Sequence, residues 1–297
     1  ASLSGLGALT TIGGGLNIIN NSSLTSLSGL DALTSIDYTN IGDNSSLLNL
    51  SGLGALTTVS AISITNNASL TSLTGLGALA SIGSHLFIAE NNSLANLSGL
   101  EALTFVGGDL DCLDNPMLVS MNGLNNITSI IGNFRIINNA ALASLNGLEG
   151  LTSVGGYLSV SSNAVLTNLT GLESLTNIGS QLIIGDNPAF ASLSALTSLT
   201  SITDLDISYN PMLSTLAGLE NVNPDLLIHI TIQNNATLSV CDLTNICEYL
   251  SVPTNSAYIS DNATGCATRP EVEIACDPAV CPSGDLTFTT QQQIDDF

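Results

Sequence analysis

Large rings and positive charge are both scarce in this chain. Tryptophan is absent and aromatic residues make up 4% of 297 residues, so any core must be built from stacked Leu, Ile and Val. Lysine is absent, and two arginines, Arg135 and Arg269, face 24 acidic residues for a net charge of −22. That balance argues against nucleic acid as a partner, because counterion release from phosphates needs Lys or Arg. It argues equally against an anionic membrane surface. It favours solubility in salt water and can attract cations. No apolar run reaches the roughly 18 residues needed to span a bilayer, since Ser, Thr, Asn and Gly interrupt everywhere. Membrane insertion is not expected. No signal-peptide pattern is present, and the chain begins in mid-repeat at ASLSGLGALTTIG, which suggests a processed or excerpted start.

What is present is a repeat. Leu158 to Ile178, LSVSSNAVLTNLTGLESLTNI, carries the skeleton L-x-[IV]-x-x-N-x-x-L-x-x-L-x-G-L-x-x-L-T-x-[IV]. Its Asn recurs at Asn21, Asn44, Asn67, Asn91, Asn115, Asn139, Asn163, Asn187, Asn210 and Asn235. Self-similarity at a period of 23–25 residues marks a solenoid, one continuous core that grows along a line. Residues 1–12 align with the last third of a turn, and full turns start near residues 16, 39, 62, 86, 110, 134, 158, 182, 205 and 230. In each, L-x-[IV] reads as a short strand with alternate residues inward. Stacking about ten such turns at about 4.8 Å gives a parallel sheet on a rod about 48 Å long.

Three columns explain the skeleton. The Leu, Ile and Val columns are core. The Asn column reads as a ladder whose amides bond backbone groups of their own and the adjacent turn, because buried polar groups must be paired. The Gly column (Gly5, Gly29, Gly52, Gly75, Gly99, Gly123, Gly147, Gly171 and Gly218) fits a tight corner. Ala195 interrupts it, so the sequence alone does not establish a positive φ there.

At Leu238 the pattern ends. SVCDLTNICEYLSVP reads as a short helix stopped by Pro253, and AYISDNATGC as one more strand with a decayed I-x-x-N. PEVEIACDPAVCPSGD reads as linker, and LTFTTQQQIDDF as a strand entering a helix. The expected domains are solenoid repeats over 1–238, a cap with a short helix over 239–276, and a linker plus the start of a following domain or junction over 277–297.

The skeleton and the ending LSVCDLTNICEYLSVPTNSAYISDNATGCATRPEVEIAC resemble the receptor L-domain-like leucine-rich repeat proteins, with the Bacteroidetes type looking nearest. CPSGDLTFTTQQQIDDF looks like the N-terminal capping strand and helix of a next such domain. The resemblance implies a mainly β fold, a right-handed single-stranded β-helix. It also implies a secreted or cell-surface binding or adhesive module, and it brings no catalytic residues. The departure is that residues 1–12 carry no N-terminal cap.

Individual motifs are weaker. Cys112 replaces Ile or Val in an inward column and reads as a buried free thiol. Cys241, Cys247, Cys266 and Cys276 cluster in the cap and read as two disulfides of open pairing, suited to an oxidising compartment. Zinc is the rival reading, without C-x₂-C spacing or a nearby His to support it. Cys281 is left over, a partner for an inter-domain disulfide. His85 and His229 share one column, roughly 29 Å apart, and cannot share a metal. Neither shows an obvious nucleophile with an Asp behind it. Asp109, Asp111, Asp114 and Glu90 gather on adjacent turns. They read as a solvated acidic patch with Arg135 pairing Asp111; the alternative is a weak Ca²⁺ site. No other cofactor is implied. Asn-x-Ser/Thr sequons such as Asn49, Asn96, Asn126 and Asn168 arise readily in so Asn-rich a chain. A Thr column (Thr10, Thr34, Thr57, Thr104, Thr128, Thr152, Thr176 and Thr200) lacks the T-x-T doublet of a broad plane and fits exposed strand positions.

The expectation is therefore an extracellular, non-enzymatic structural or adhesive repeat protein. Its partners would be copies of itself, joined head to tail, or tandem domains. In that picture the cap-like segment Leu286 to Phe297 covers the open first turn of the next unit. One alternative is a module that binds a glycan or protein on one face, with Phe87, Leu113, Ile183 and Tyr209 as large outward candidates. Another is ice binding through the Thr column.

Overall fold

The computed structural model describes residues 3–277, and over them the chain is a parallel β-solenoid of about ten turns. Each turn presents a front strand, L-x-[IV]-x, and a back strand at the T-x-[IV] step. In the first three turns the two are one bent strand: Thr11–Ile19, Ser35–Gly42 and Thr58–Thr65. From Asn67 to Asn91 the step lengthens from 23 to 24 residues. The added residue splits the strand into pairs such as Ser81–Ile82 and Leu86–Ala89, or Ser153–Val154 and Leu158–Ser161. Apart from a bulge between Ile12 and Gly15 of the first strand, register is kept, so Leu110, Phe134, Leu158 and Leu182 stack in line. The inward residues of one turn, Leu158, Val160, Leu166, Leu169, Leu172, Leu175 and Ile178, are fully buried. Residues of that size each contribute about 1.5–3 kcal/mol on burial.

The Asn column joins each turn to both neighbours. Asn163 Nδ2 donates to the carbonyl of Ile136 one turn back at 2.9 Å and to Ser161 of its own strand at 3.0 Å. Its Oδ1 accepts the amide N–H of Asn139 at 3.0 Å, while its own N–H donates to Asn187 Oδ1 at 2.9 Å. The bonds to the neighbouring turns repeat from Asn44 to Asn235, all fully buried, with the own-strand bond made at each of these rungs except Asn44 and Asn187; only Asn21 at the first turn is exposed. Asn262 extends the ladder by one rung, donating to Ile232 and accepting from Asn235. Burial also closes the ladder sequons, such as Asn44-Ser-Ser and Asn235-Ala-Thr, to glycosylation of the folded chain.

The opposite corner is made by glycine. Gly29, Gly52, Gly75, Gly99, Gly123, Gly147, Gly171 and Gly218 have φ between +106° and +119°. A Cβ at Gly123 would fall on the carbonyl of Leu97 in the turn before. Gly5 and Ala195 instead sit in 3₁₀ turns, Ser4–Leu6 and Ser194–Leu196, so this corner has a second solution that tolerates a side chain. At six of these eight corners, all but Gly52 and Gly75, the glycine N–H is bonded by a side chain two residues on. Asp31, Glu101, Asn125, Glu149, Glu173 and Glu220 accept from Gly29, Gly99, Gly123, Gly147, Gly171 and Gly218 at 2.8–3.1 Å. Five of the acidic residues thus have a structural task.

The solenoid is closed at its C-terminal side by helix α1 (Thr244–Leu250), strand Ser256–Ser260 and helix α2 (Arg269–Cys276). Ile246, Tyr249 and Leu250 of α1 are buried on the last turn, and Asn245 Nδ2 bonds the carbonyls of Leu219 and Val222. Two disulfides join Cys241 to Cys266 and Cys247 to Cys276, with Cα separations of 5.7 and 5.4 Å. Residues 270–276, expected as linker, are helical. Thr268 caps α2, Pro270 opens it, and Glu271 accepts from the N–H groups of Gly265 and Ala267. That is a capping arrangement legible in T-R-P-E. Arg269 ties α2 to the carbonyls of Leu250 and Asn255. Of the linker and junction expected over 277–297, residues 278–297, with Cys281 and the cap-like segment 286–297, lie outside the described residues.

Replacing Gly123 by Ala is expected to destabilise the fold by about 2–4 kcal/mol, from positive φ and the Leu97 clash together. Gly5→Ala, at a corner without positive φ, should cost less than about 1 kcal/mol. Denaturant unfolding of the two variants makes the comparison.

Candidate binding face

Along the front sheet one outward column reads Asn17, Asn40, Ser63, Phe87, Asp111, Arg135, Ser159, Ile183, Asp206, Thr231 and Tyr258. The small polar background is broken between Phe87 and Ile183, and again at Tyr258 at the far end. There Arg135 forms a two-armed ion pair with Asp111, Nε to Oδ1 at 2.5 Å and Nη2 to Oδ2 at 2.6 Å. Asp111 is buried in this pair while Arg135 keeps 34% of its side chain exposed. The hydrogen bond to Asp111 raises the guanidinium pKa further, against a smaller opposing effect of burial. Leu113 and Ile137, two residues along each strand, are half-buried beside them, as are Phe87 and Ile183.

The residues that open these strands form a second, shorter side-chain ladder. His85 Nδ1 accepts the N–H of Asp109 at 3.2 Å, Asp109 Oδ1 that of Asn133 at 2.7 Å, and Asn133 Oδ1 that of Tyr157 at 3.1 Å. Each side chain commits one polar atom to the fold and has a second. The result is a face of rings and branched chains set among imidazole, carboxylate and amide groups.

The four carboxylates considered for Ca²⁺ do not converge. Asp111 is taken by Arg135 and Asp109 by Asn133, while Glu90 and Asp114 lie at the far end of their strands, at φ 59° and 55°. Among the described residues no group of three His, Cys, Asp or Glu is placed to hold a metal. His229 is not without a hydroxyl neighbour: its Nδ1 lies 2.7 Å from Ser256 Oγ and its Nε2 3.0 Å from Thr231 Oγ1. Asp204 is level with His229 in the sheet but is hydrogen-bonded by Thr203. No described carboxylate is ion-paired to His229, so the geometry of a triad is not formed. Cys112 is fully buried, and burial, with Asp111 adding, pushes its thiol far above the ordinary range. The Thr column is used by the fold: Thr34, Thr104, Thr128, Thr152, Thr176 and Thr200 each donate to the carbonyl one turn back at 3.0–3.3 Å. The rank beside it is interrupted by Phe105 and Asn177.

One row escaped the sequence reading. The residue before each ladder Asn is left-handed, with φ between 52° and 62°, at Asn20, Asp43, Asn66, Glu90, Asp114, Asn138, Ser162, Asp186, Tyr209, Asn234 and Asp261. Asn and Asp tolerate that conformation, and their recurrence before Asn was the available signal.

Arg135→Ala would strand the Asp111 carboxylate in a buried site and is expected to cost about 2–4 kcal/mol. Removing Asp111 as well should recover part of that loss. Unfolding free energies of the two single variants and the double variant test the pair.

No family model matches the chain, and no curated protein does. Among solved structures, a leucine-rich repeat protein from Bacteroides ovatus ATCC 8483 is 14% identical, over 84% of this chain and 76% of that one, with a TM-score of 0.24. A chain of the TLR13–ssRNA13 complex is 15% identical, with a TM-score of 0.19; the match covers 82% of this chain and 53% of that protein, about half its length. Scores this low assign neither family nor ligand, and the RNA belongs to that complex alone. The solenoid stands on the chain's own structure, and the receptor L-domain reading is reached by neither comparison.

Proposed function

We propose that the chain is an extracellular, non-enzymatic adhesive module that binds glycan through the front face of its solenoid. The observation that supports this reading is the interruption of the small polar column by Phe87, Asp111, Arg135 and Ile183, flanked by His85, Asp109, Asn133 and Tyr157. Rings that offer a flat apolar surface, next to carboxylate and amide groups, suit the two kinds of surface on a sugar. The fold holds the Arg135 pair and the opening ladder in place before any ligand arrives, which reduces the ordering cost of binding. With a net charge of −22 the chain repels polyanions at long range. The two disulfides suit an oxidising compartment. No helix of the described residues is long and apolar enough to cross a membrane.

The test is affinity electrophoresis of the full chain through gels containing a panel of soluble neutral and acidic polysaccharides. Saturable retardation by at least one polysaccharide is expected. It should weaken about tenfold or more in the Phe87→Ser, Ile183→Ser double variant, the range of a lost interface anchor. Free migration in every gel would contradict the reading.

A further inference from the structure

The left-handed row before the ladder Asn has one member that its backbone does not explain. Ten of its eleven positions hold Asn, Asp, Glu or Ser, and the eleventh is Tyr209, at φ 58°. A bulky side chain is disfavoured there by contact with its own backbone. The phenol makes no hydrogen bond to the described residues that would offset this. The backbone N–H of Tyr209 donates to Gln233, as that of Asp186 donates to Ser208, so any residue would serve. The residue is 50% exposed.

The surroundings give the ring a setting. Pro188 and Pro211 directly follow the buried ladder residues Asn187 and Asn210, so both are held by rigid backbone. Together with Tyr209 they line an open depression of about 420 Å³, with Asp186 one turn before the ring and Asn234 one turn after. Successive turns are about 4.8 Å apart. A carboxylate and an amide therefore flank an aromatic platform at a distance that one pyranose ring can span. Neither arginine lines the depression, so nothing there selects an anion.

A left-handed backbone kept at a bulky, half-exposed residue whose phenol bonds nothing in the fold points to function. We infer that Tyr209 is the stacking platform of a subsite for a neutral glycan, with Asp186 and Asn234 as hydrogen-bonding partners for its hydroxyls. The inference rests on the glycan-binding reading above and places a subsite on a different rank of the solenoid from the Phe87–Ile183 column.

An array of neutral gluco-, manno-, galacto- and xylo-oligosaccharides, probed with the full chain, tests it through two variants. Tyr209→Asn restores a residue suited to the left-handed conformation, so its melting temperature should equal or exceed that of the parent. Its binding should fall about tenfold or more. Tyr209→Phe keeps the ring and should retain binding. A Tyr209→Asn protein that binds the neutral oligosaccharides as well as its parent would overturn the inference. If that binding were still lost in the Phe87→Ser, Ile183→Ser variant, the wider reading would stand without it. Binding confined to acidic oligosaccharides would also overturn the subsite, and binding to none would remove both.

Discussion

Everything in this structure depends on how a corner of backbone is satisfied in each turn without the help of water. A solenoid turn must leave its front strand, and the carbonyls and N–H groups at that bend face the interior. The ladder asparagine answers with one side chain for three needs. Its amide nitrogen reaches carbonyls in its own strand and the strand one turn back, and its oxygen receives the N–H of the preceding rung. Buried polar groups cost most when left unpaired, so each rung fixes the register of the next. With register fixed, the Leu, Ile and Val columns align and the core follows.

The same logic extends to the remaining bends. Carboxylates and one amide bond the otherwise unpaired glycine N–H, Thr hydroxyls bond the carbonyl of the turn before, and Asn49, Asn96 and Asn168 bond the N–H two residues on. Repetition lets one side chain per bend be reused down the rod, which explains how a chain so poor in rings and positive charge builds a stable solid. It also defines what is left for function. Positions that repeat serve the backbone, and Phe87, Ile183 and Tyr209, which break their columns, are among those that carry the proposed glycan binding.

The fold was largely legible because its constraints are periodic. The inward Leu columns, the Asn ladder and the glycine corner all recur at one spacing, and a periodic signal survives without knowledge of contacts. Less was visible where the cause lies between turns. The G-L-E pairs were present in the sequence, yet the bond from glycine N–H to carboxylate needs the positive φ to be known. The contact of His229 with Ser256 crosses the cap insertion, where the regular step no longer applies. Most of helix α2 was read as linker, although T-R-P-E held its start signal. Of the candidate binding residues, the sequence named Phe87, Leu113, Ile183 and Tyr209 as outward, and the Arg135–Asp111 pair as neighbours. It could not show that Tyr209 is strained, since strain is a property of a dihedral angle and not of a residue type.

The most direct test of this account compares two rungs of the ladder by denaturant unfolding. Asn163 is buried and bonded on both sides, whereas Asn21 is exposed at the first turn. Asn163→Ala should lower the unfolding free energy by at least about 2 kcal/mol, because it leaves carbonyls and an N–H unpaired in the interior. Asn21→Ala should cost less than about 0.5 kcal/mol. Equal and small losses at the two positions would contradict the claim that the ladder holds the turns together.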